Sequence, residues 1–190
     1  MPEDVVVPTE NQRAARVAQF IEFDDVFLLK HSAELLEDKG TILTSKNLEV
    51  SVRYEPSCPY TFDATSNVIA VRPAFLFELM RKADDANPPT AAVRVASVFV
   101  LNYVFHVTEP PTGQELGEHL SAFANVNARF NAWPYFREIV QSSVARMGLP
   151  PVVLPVFRVK RQASKEVPAL EGEPSKAPKA RRRTTHRERG

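Results

Sequence analysis

A single cysteine, Cys58, stands among 190 residues, so no disulfide can form within the chain. That suits a reducing compartment, and a cytoplasmic protein is expected. Only six glycines occur and none cluster, which excludes a glycine-rich loop of the kind that cradles phosphate. No apolar run is long enough to span a bilayer: the longest, "VASVFVLNYVFHV", is interrupted by Ser97, Asn102 and His106. The opening "MPEDVVVPTENQ" is acidic, with no basic stretch ahead of an apolar core, and does not read as a secretory signal. No GxSxG elbow surrounds any serine. His31, His106, His119 and His186 lack metal-ligand spacing with one another or with Cys58. Asp24-Asp25 and Asp84-Asp85 are poor acid–base pairs, because strand neighbours point to opposite faces and the second pair falls in a loop. The expectation is a protein that is not an enzyme and needs no metal or cofactor.

Charge is present in near balance but unevenly placed. Residues 158–190 hold 11 Lys/Arg against 4 Asp/Glu, and the remaining residues hold 13 against 19. The body is acidic and the tail basic. With few large apolar side chains to offset its ordering entropy, the stretch 160–190 is expected to be a disordered basic tail. Its "KAPKARRRTTHRERG" offers contact with nucleic acid by charge alone, since no aromatic residue is interleaved for base stacking. A nucleic-acid-binding module acting through this tail is one alternative reading. Residues 1–12 are expected to be flexible, and 13–159 to form the folded domain.

Within that domain a long strand is expected from about Ala18 to Leu35. "NLEVSVRYEP" alternates Leu48, Val50 and Val52 with polar neighbours, the period of a half-buried strand. Residues 61–80 read as a third strand, with Pro73 marking either an edge or a break, and with a second half that could instead be helical. Residues 91–108 are the clearest strand, lying between the loops "KADDANPPTA" and "EPPTG". Thr112 is placed to cap a short helix carrying Leu116, Leu120 and Phe123 at helical spacing. A longer helix is expected from Trp133 to Met147, with Pro134 in its first turn, an apolar face of Trp133, Phe136, Val140, Val144 and Met147, and Gly148 as a left-handed cap. The fold class is thus α+β, a four-stranded antiparallel sheet with a short helix and a long C-terminal helix on one face. Such helices can cover only one side of the sheet. Yet the fourth strand is apolar on both, with Val93, Val95, Phe99, Leu101, Tyr103, Phe105 and Val107 on one face and Ala92, Ala96, Val98, Val100 and Val104 on the other. The first strand likewise sets Phe20, Val26 and Leu28 against Ile21, Phe23, Phe27 and Leu29. An uncovered apolar face calls for a second subunit or a client.

The C-terminal third carries the segment "WPYFRE", Trp133 to Glu138, and the run "VARMGLPPVVLPVF", Val144 to Phe157, and the first strand carries Asp25-Val26. In these residues the chain, over about 13–159, resembles the SecB family of export chaperones. The resemblance implies an ATP-independent holdase, a homotetramer built as a dimer of dimers, that wraps unfolded or nascent polypeptide in long apolar grooves. Phe23, Phe27, Leu29, Val98 and Val100 are the expected client-binding residues. The family docks the translocase motor SecA through carboxylates on its exposed sheet; Asp25 falls on one such position, but Leu29 and Val98 replace others, so motor docking is expected to be weak. Some relatives protect antitoxins in toxin-antitoxin-chaperone modules, a role that the lost acids and the basic tail would suit. The other alternative, a small-molecule enzyme on a hot-dog-like fold, fits less well because such folds place their central helix early and this chain places it last.

Overall fold

The computed structural model describes residues 8–83, 88–106 and 114–157, all within one compact unit, Met1–Val159. Residues 84–87 of the expected loop "KADDANPPTA", the "EPPTG" turn, the Thr112 cap and the basic tail lie outside the described residues.

The first element corrects the sequence reading. Helix α1, Glu10–Ala18, takes in residues expected to be flexible or extended. "TENQ" starts it: Thr9 Oγ1 accepts from the Gln12 backbone N–H at 3.3 Å, and Gln12 Oε1 accepts from the Thr9 backbone N–H at 2.8 Å. Two of the donors left open at a helix start are thereby satisfied. Ala14 and Val17 are buried, and Arg13 and Arg16 pair with Glu118 and Glu115 of helix α3 (Gln114–Phe123), each at 3.6 Å.

Among the described residues the sheet has six strands rather than four: β1 Ile21–Leu35, β2 Leu48–Tyr54, β3 Tyr60–Asp63, β4 Val68–Val71, β5 Ala74–Arg81 and β6 Thr90–Phe105. All its pairings are antiparallel. The stretch expected as one third strand is cut twice. Asp63 turns the chain by accepting from Thr65 N–H (2.9 Å) and Ser66 Oγ (2.6 Å), and Asn67 adopts φ 54°. Pro73, which cannot donate to a ladder, then separates β4 from β5, and both pair with the same edge of β6, at Leu101–Val104 and Thr90–Val98 respectively. The other edge of β6 carries β1 along nearly its whole length. Helix α2, Lys39–Thr44, links β1 to β2 and is capped by Asp38 Oδ1, which accepts from Gly40 and Thr41.

The two expected C-terminal helices run without a break. Helix α3 passes into a π-turn, Ala124–Ala128, and then helix α4, Arg129–Arg146. Pro134 therefore lies inside α4 instead of marking its start. Its ring and missing N–H disfavour the helical bond to residue 130, and the wide π-turn, five residues per hydrogen-bonded step, lies immediately upstream. Gly148, at φ +70°, ends the helix as expected, with its N–H donating to Ala145 O and Leu149 N–H to Val144 O. The apolar stripe of α4 and the odd-numbered residues of β6 form the core. Phe75 stacks on Phe136 with ring centroids 4.9 Å apart, and Tyr103 meets Phe123 edge-on at 5.1 Å. Leu154 is fully buried, and Pro155 O accepts from Trp133 Nε1 at 3.0 Å, which pins the extended segment after α4.

Candidate functional site

Among the described residues apolar side chains are left exposed on the outside, and the irregularities of β1 shape the first such surface. Its register against β6 slips between Phe23 and Asp25 and between Leu28 and Lys30. Each slip is a β-bulge, an extra residue that shifts every later side chain to the other face relative to simple alternation. Cross-strand partners share a face. Ile21, Phe23, Val26, Leu28, Ala33 and Leu35 consequently lie on the helix side, opposite Phe105, Tyr103, Leu101, Phe99, Val95 and Val93, whereas Phe27 opposes Val100 on the uncovered side. Phe23 packs edge-on against Tyr103, centroids 5.6 Å apart at 71°. The expectation that Phe23, Phe27 and Leu29 share one face is thus overturned by the bulges. Phe27, Val98 and Val100 share that face, though Val100 is buried at 6% exposure, Phe23 does not join them, and Leu29 sits at the second bulge without a register partner, 55% exposed. Asp25 opposes Asn102, and its carboxylate accepts from the Val26 backbone N–H at 2.7 Å.

The second surface is the uncovered sheet face beyond Phe27. Two rows of partners cross it, Ser32–Ala96–Leu76–Arg53 and Lys30–Val98–Ala74. A hollow of about 490 Å³ lies over them, lined by the small Ser32, Ala74 and Ala96 and by the cationic Lys30 and Arg53. Beside it Glu78, 3% exposed, is held by Arg53 and Arg94. Two cations sharing one carboxylate satisfy a charge that would otherwise be costly to bury.

The third surface lies where α2 meets the end of α4. Ile42, Leu43, Leu48, Leu79, Val144, Leu149 and Val152 line an apolar cavity of about 240 Å³. Leu43 is half-exposed at its side, as are Leu36 and Val50 nearby in the chain. Its wall is braced by Arg81, which donates to Ser45 Oγ at 2.8 Å and pairs with Glu37. Hydrogen bonding from Arg81 holds the Glu37 carboxyl below its ordinary range, against a smaller opposing effect of burial. Sequence reasoning missed this cavity, because α2 is too short to display a helical period; the signal available was Asp38 ahead of Gly40-Thr41-Ile42-Leu43, a capping residue before apolar ones.

Other polar groups are tied into the fold. Arg129, buried, donates to Glu55 O (2.9 Å) and Pro56 O (3.2 Å), and its guanidinium carbon lies 4.4 Å from the centre of the Tyr54 ring. Burial pushes the Cys58 thiol and the Tyr103 hydroxyl above their ordinary values, the opposite of what an activated nucleophile needs. His31 lies between Ser97 (3.3 Å) and Ser143 (3.4 Å), joining β1 to α4. Among the described residues no group of three or more His, Cys, Asp and Glu could hold a metal, and no helix is long and apolar enough to cross a membrane.

A sheet with one face under a long broken helix, and with apolar surface left over, is similar in fold to one solved SecB-like chaperone. The SecB-like chaperone of Mycobacterium tuberculosis, solved in complex with a ChAD peptide from the HigA1 antitoxin, superposes with a TM-score of 0.62 at 23% identity, over 78% of this chain and 99% of that one. A protein of unknown function from Streptococcus agalactiae matches with a TM-score of only 0.26 at 13% identity, over 71% of this chain and 96% of that one. No family model and no curated protein matches the sequence.

Proposed function

We propose that this protein is a holdase chaperone that binds extended apolar segments of unfolded polypeptide without ATP. The observation that carries the reading is the exposed apolar surface of β1 and of the α2–α4 cavity, on a fold shared with a chaperone solved holding a peptide. Each large apolar side chain transferred from water is worth roughly 1.5–3 kcal/mol. A few shallow anchors therefore hold a segment with no sequence-specific polar contact. By analogy with the M. tuberculosis complex, an antitoxin segment is the favoured client class. Docking of the SecA motor is expected to be weak, because Asp25 is the one carboxylate matched to that role and a single exposed ion pair contributes only about 0–1 kcal/mol. Self-association to a tetramer belongs to the same proposal; the long strand β1, with large apolar residues exposed on it, is a surface that proteins rarely leave bare.

The test is suppression of aggregation of a chemically unfolded protein by the full chain without nucleotide. Suppression that weakens in Phe27→Asp and in Leu43→Asp, with circular dichroism unchanged, is the expected result. Aggregation that proceeds as if the chain were absent would overturn the reading.

A further inference from the structure

The α2–α4 cavity is apolar inside, but the charges around it are not balanced. Three carboxylates lie close by in the chain, and each is engaged. Glu37 pairs with Arg81, Asp38 caps α2, and Glu49 pairs with Lys82 at 3.7 Å. Against these three carboxylates stand four cations, Arg81, Lys82, Lys39 and Lys46, so one positive charge is in excess, and Lys39 and Lys46 lie outside the ion pairs. The Lys39 ammonium reaches across to the end of α4, into the space that a Cβ on Gly148 would take, and Gly148 precedes the lining residue Leu149. Lys46 is exposed between the lining residues Ser45 and Leu48. Neither makes an ion pair with another described residue. With the Lys39 ammonium beside the end of α4 and Lys46 exposed between two lining residues, a basic neighbour to the anchor meets repulsion and an acidic one meets attraction.

We infer that this cavity selects a peptide segment in which one bulky aliphatic or aromatic anchor is flanked by carboxylates. The inference rests on the chaperone reading of the same site. The volume of about 240 Å³ suits one large side chain and not a row of them, so selectivity comes from what adjoins the anchor. Lys39 also lies at the negative end of α4, where a cation is stabilised whatever binds, and a purely structural role there predicts no preference among clients.

Fluorescence anisotropy of the full chain with three labelled peptides separates these possibilities. All three carry one central leucine and differ only in flanking residues, which are Glu, Gln or Lys. Affinity should fall in the order Glu, Gln, Lys, with a spread of roughly tenfold between the ends if the two lysines contribute as exposed ion pairs do. Added salt should compress that spread, and Lys39→Gln with Lys46→Gln should level it, whatever the double variant does to melting temperature. Binding of the Gln peptide with no difference between Glu and Lys peptides would overturn the charge selection and leave the chaperone reading standing. Failure of all three peptides to bind would overturn the inference, and the aggregation assay above would decide the chaperone reading separately.

Discussion

If the bulge at Asp24 puts Phe23 and Phe27 on opposite faces, then Phe23 but not Phe27 should be energetically coupled to Tyr103. Single substitutions cannot show this. Tyr103→Leu loses its contact with Phe123 at 5.1 Å and its hydroxyl's bond from Asn131 at 3.2 Å as well, at a site 1% exposed, and should cost about 2–4 kcal/mol by itself. A double-mutant cycle removes these shared costs. For the Phe23→Leu and Tyr103→Leu pair, an edge-on contact at 5.6 Å and 71° predicts a coupling near 1 kcal/mol, within the roughly 0.5–1.5 kcal/mol of such ring pairs. The Phe27→Leu and Tyr103→Leu pair should be additive to within about 0.3–0.5 kcal/mol. Equilibrium urea unfolding measures both, at one protein concentration, since any association adds to apparent stability. Coupling to Phe27 with additivity at Phe23 would mean that β1 alternates without the bulge, and the separation of its two faces would be wrong.

Two further outcomes follow from the cavity wall. Glu37 has its pKa lowered by Arg81 in the folded state, so its contribution is complete above the ordinary value of 4.5 and is lost as pH falls through the lower folded value. Glu37→Gln should therefore lower the melting temperature at neutral pH and converge with the parent chain in acid; an equal deficit at every pH would count against the pairing. Gly148→Ala places a side chain at φ +70° and into the space of the Lys39 ammonium, and should cost about 1–2 kcal/mol in the same urea assay, whereas a neutral or stabilising effect would contradict the left-handed cap.

What the sequence made legible is what repeats. The alternation of 48–53 and the long apolar strand ending near Phe105 fall where their periods put them, and so does the stop at Gly148. The resemblance around "WPYFRE" led to the right fold. What stayed hidden was interruption. A bulge is one residue without a pattern of its own, so simple alternation misassigned Phe23. The π-turn leaves apolar spacing nearly intact, so the sequence pattern puts Pro134 at a helix start where the structure has it inside the helix. The break between β4 and β5 was half legible, since Pro73 offered an edge or a break and only the pairing of both pieces with β6 decided between them. Helix α1 begins at the capping box "TENQ", inside the stretch 1–12 expected to be flexible, and its nine residues are too few to display a clear helical period. The cavity beside α2 is built from segments distant in the chain, Leu43 and Leu48 with Val144 and Val152, and no local window contains it.

The π-turn has a consequence for how this gene can change. A hydrogen-bonded step there holds one residue more than a step of ordinary helix, so losing any single codon from 124–128 would let the helix close up regularly and raise no local objection. It would also rotate α4 relative to α3 by about 100°, the turn of one residue in an α-helix. Phe136, Val140 and Val144 would leave the sheet together, and Asn125, which receives the Cys58 N–H at 2.8 Å and donates to Glu10 at 2.9 Å, would lose its place between the β2–β3 connection and α1. A reading frame left intact by the deletion would still encode a misassembled protein. Length in this segment should be under stricter selection than the identity of its residues, with substitutions tolerated where insertions and deletions are not.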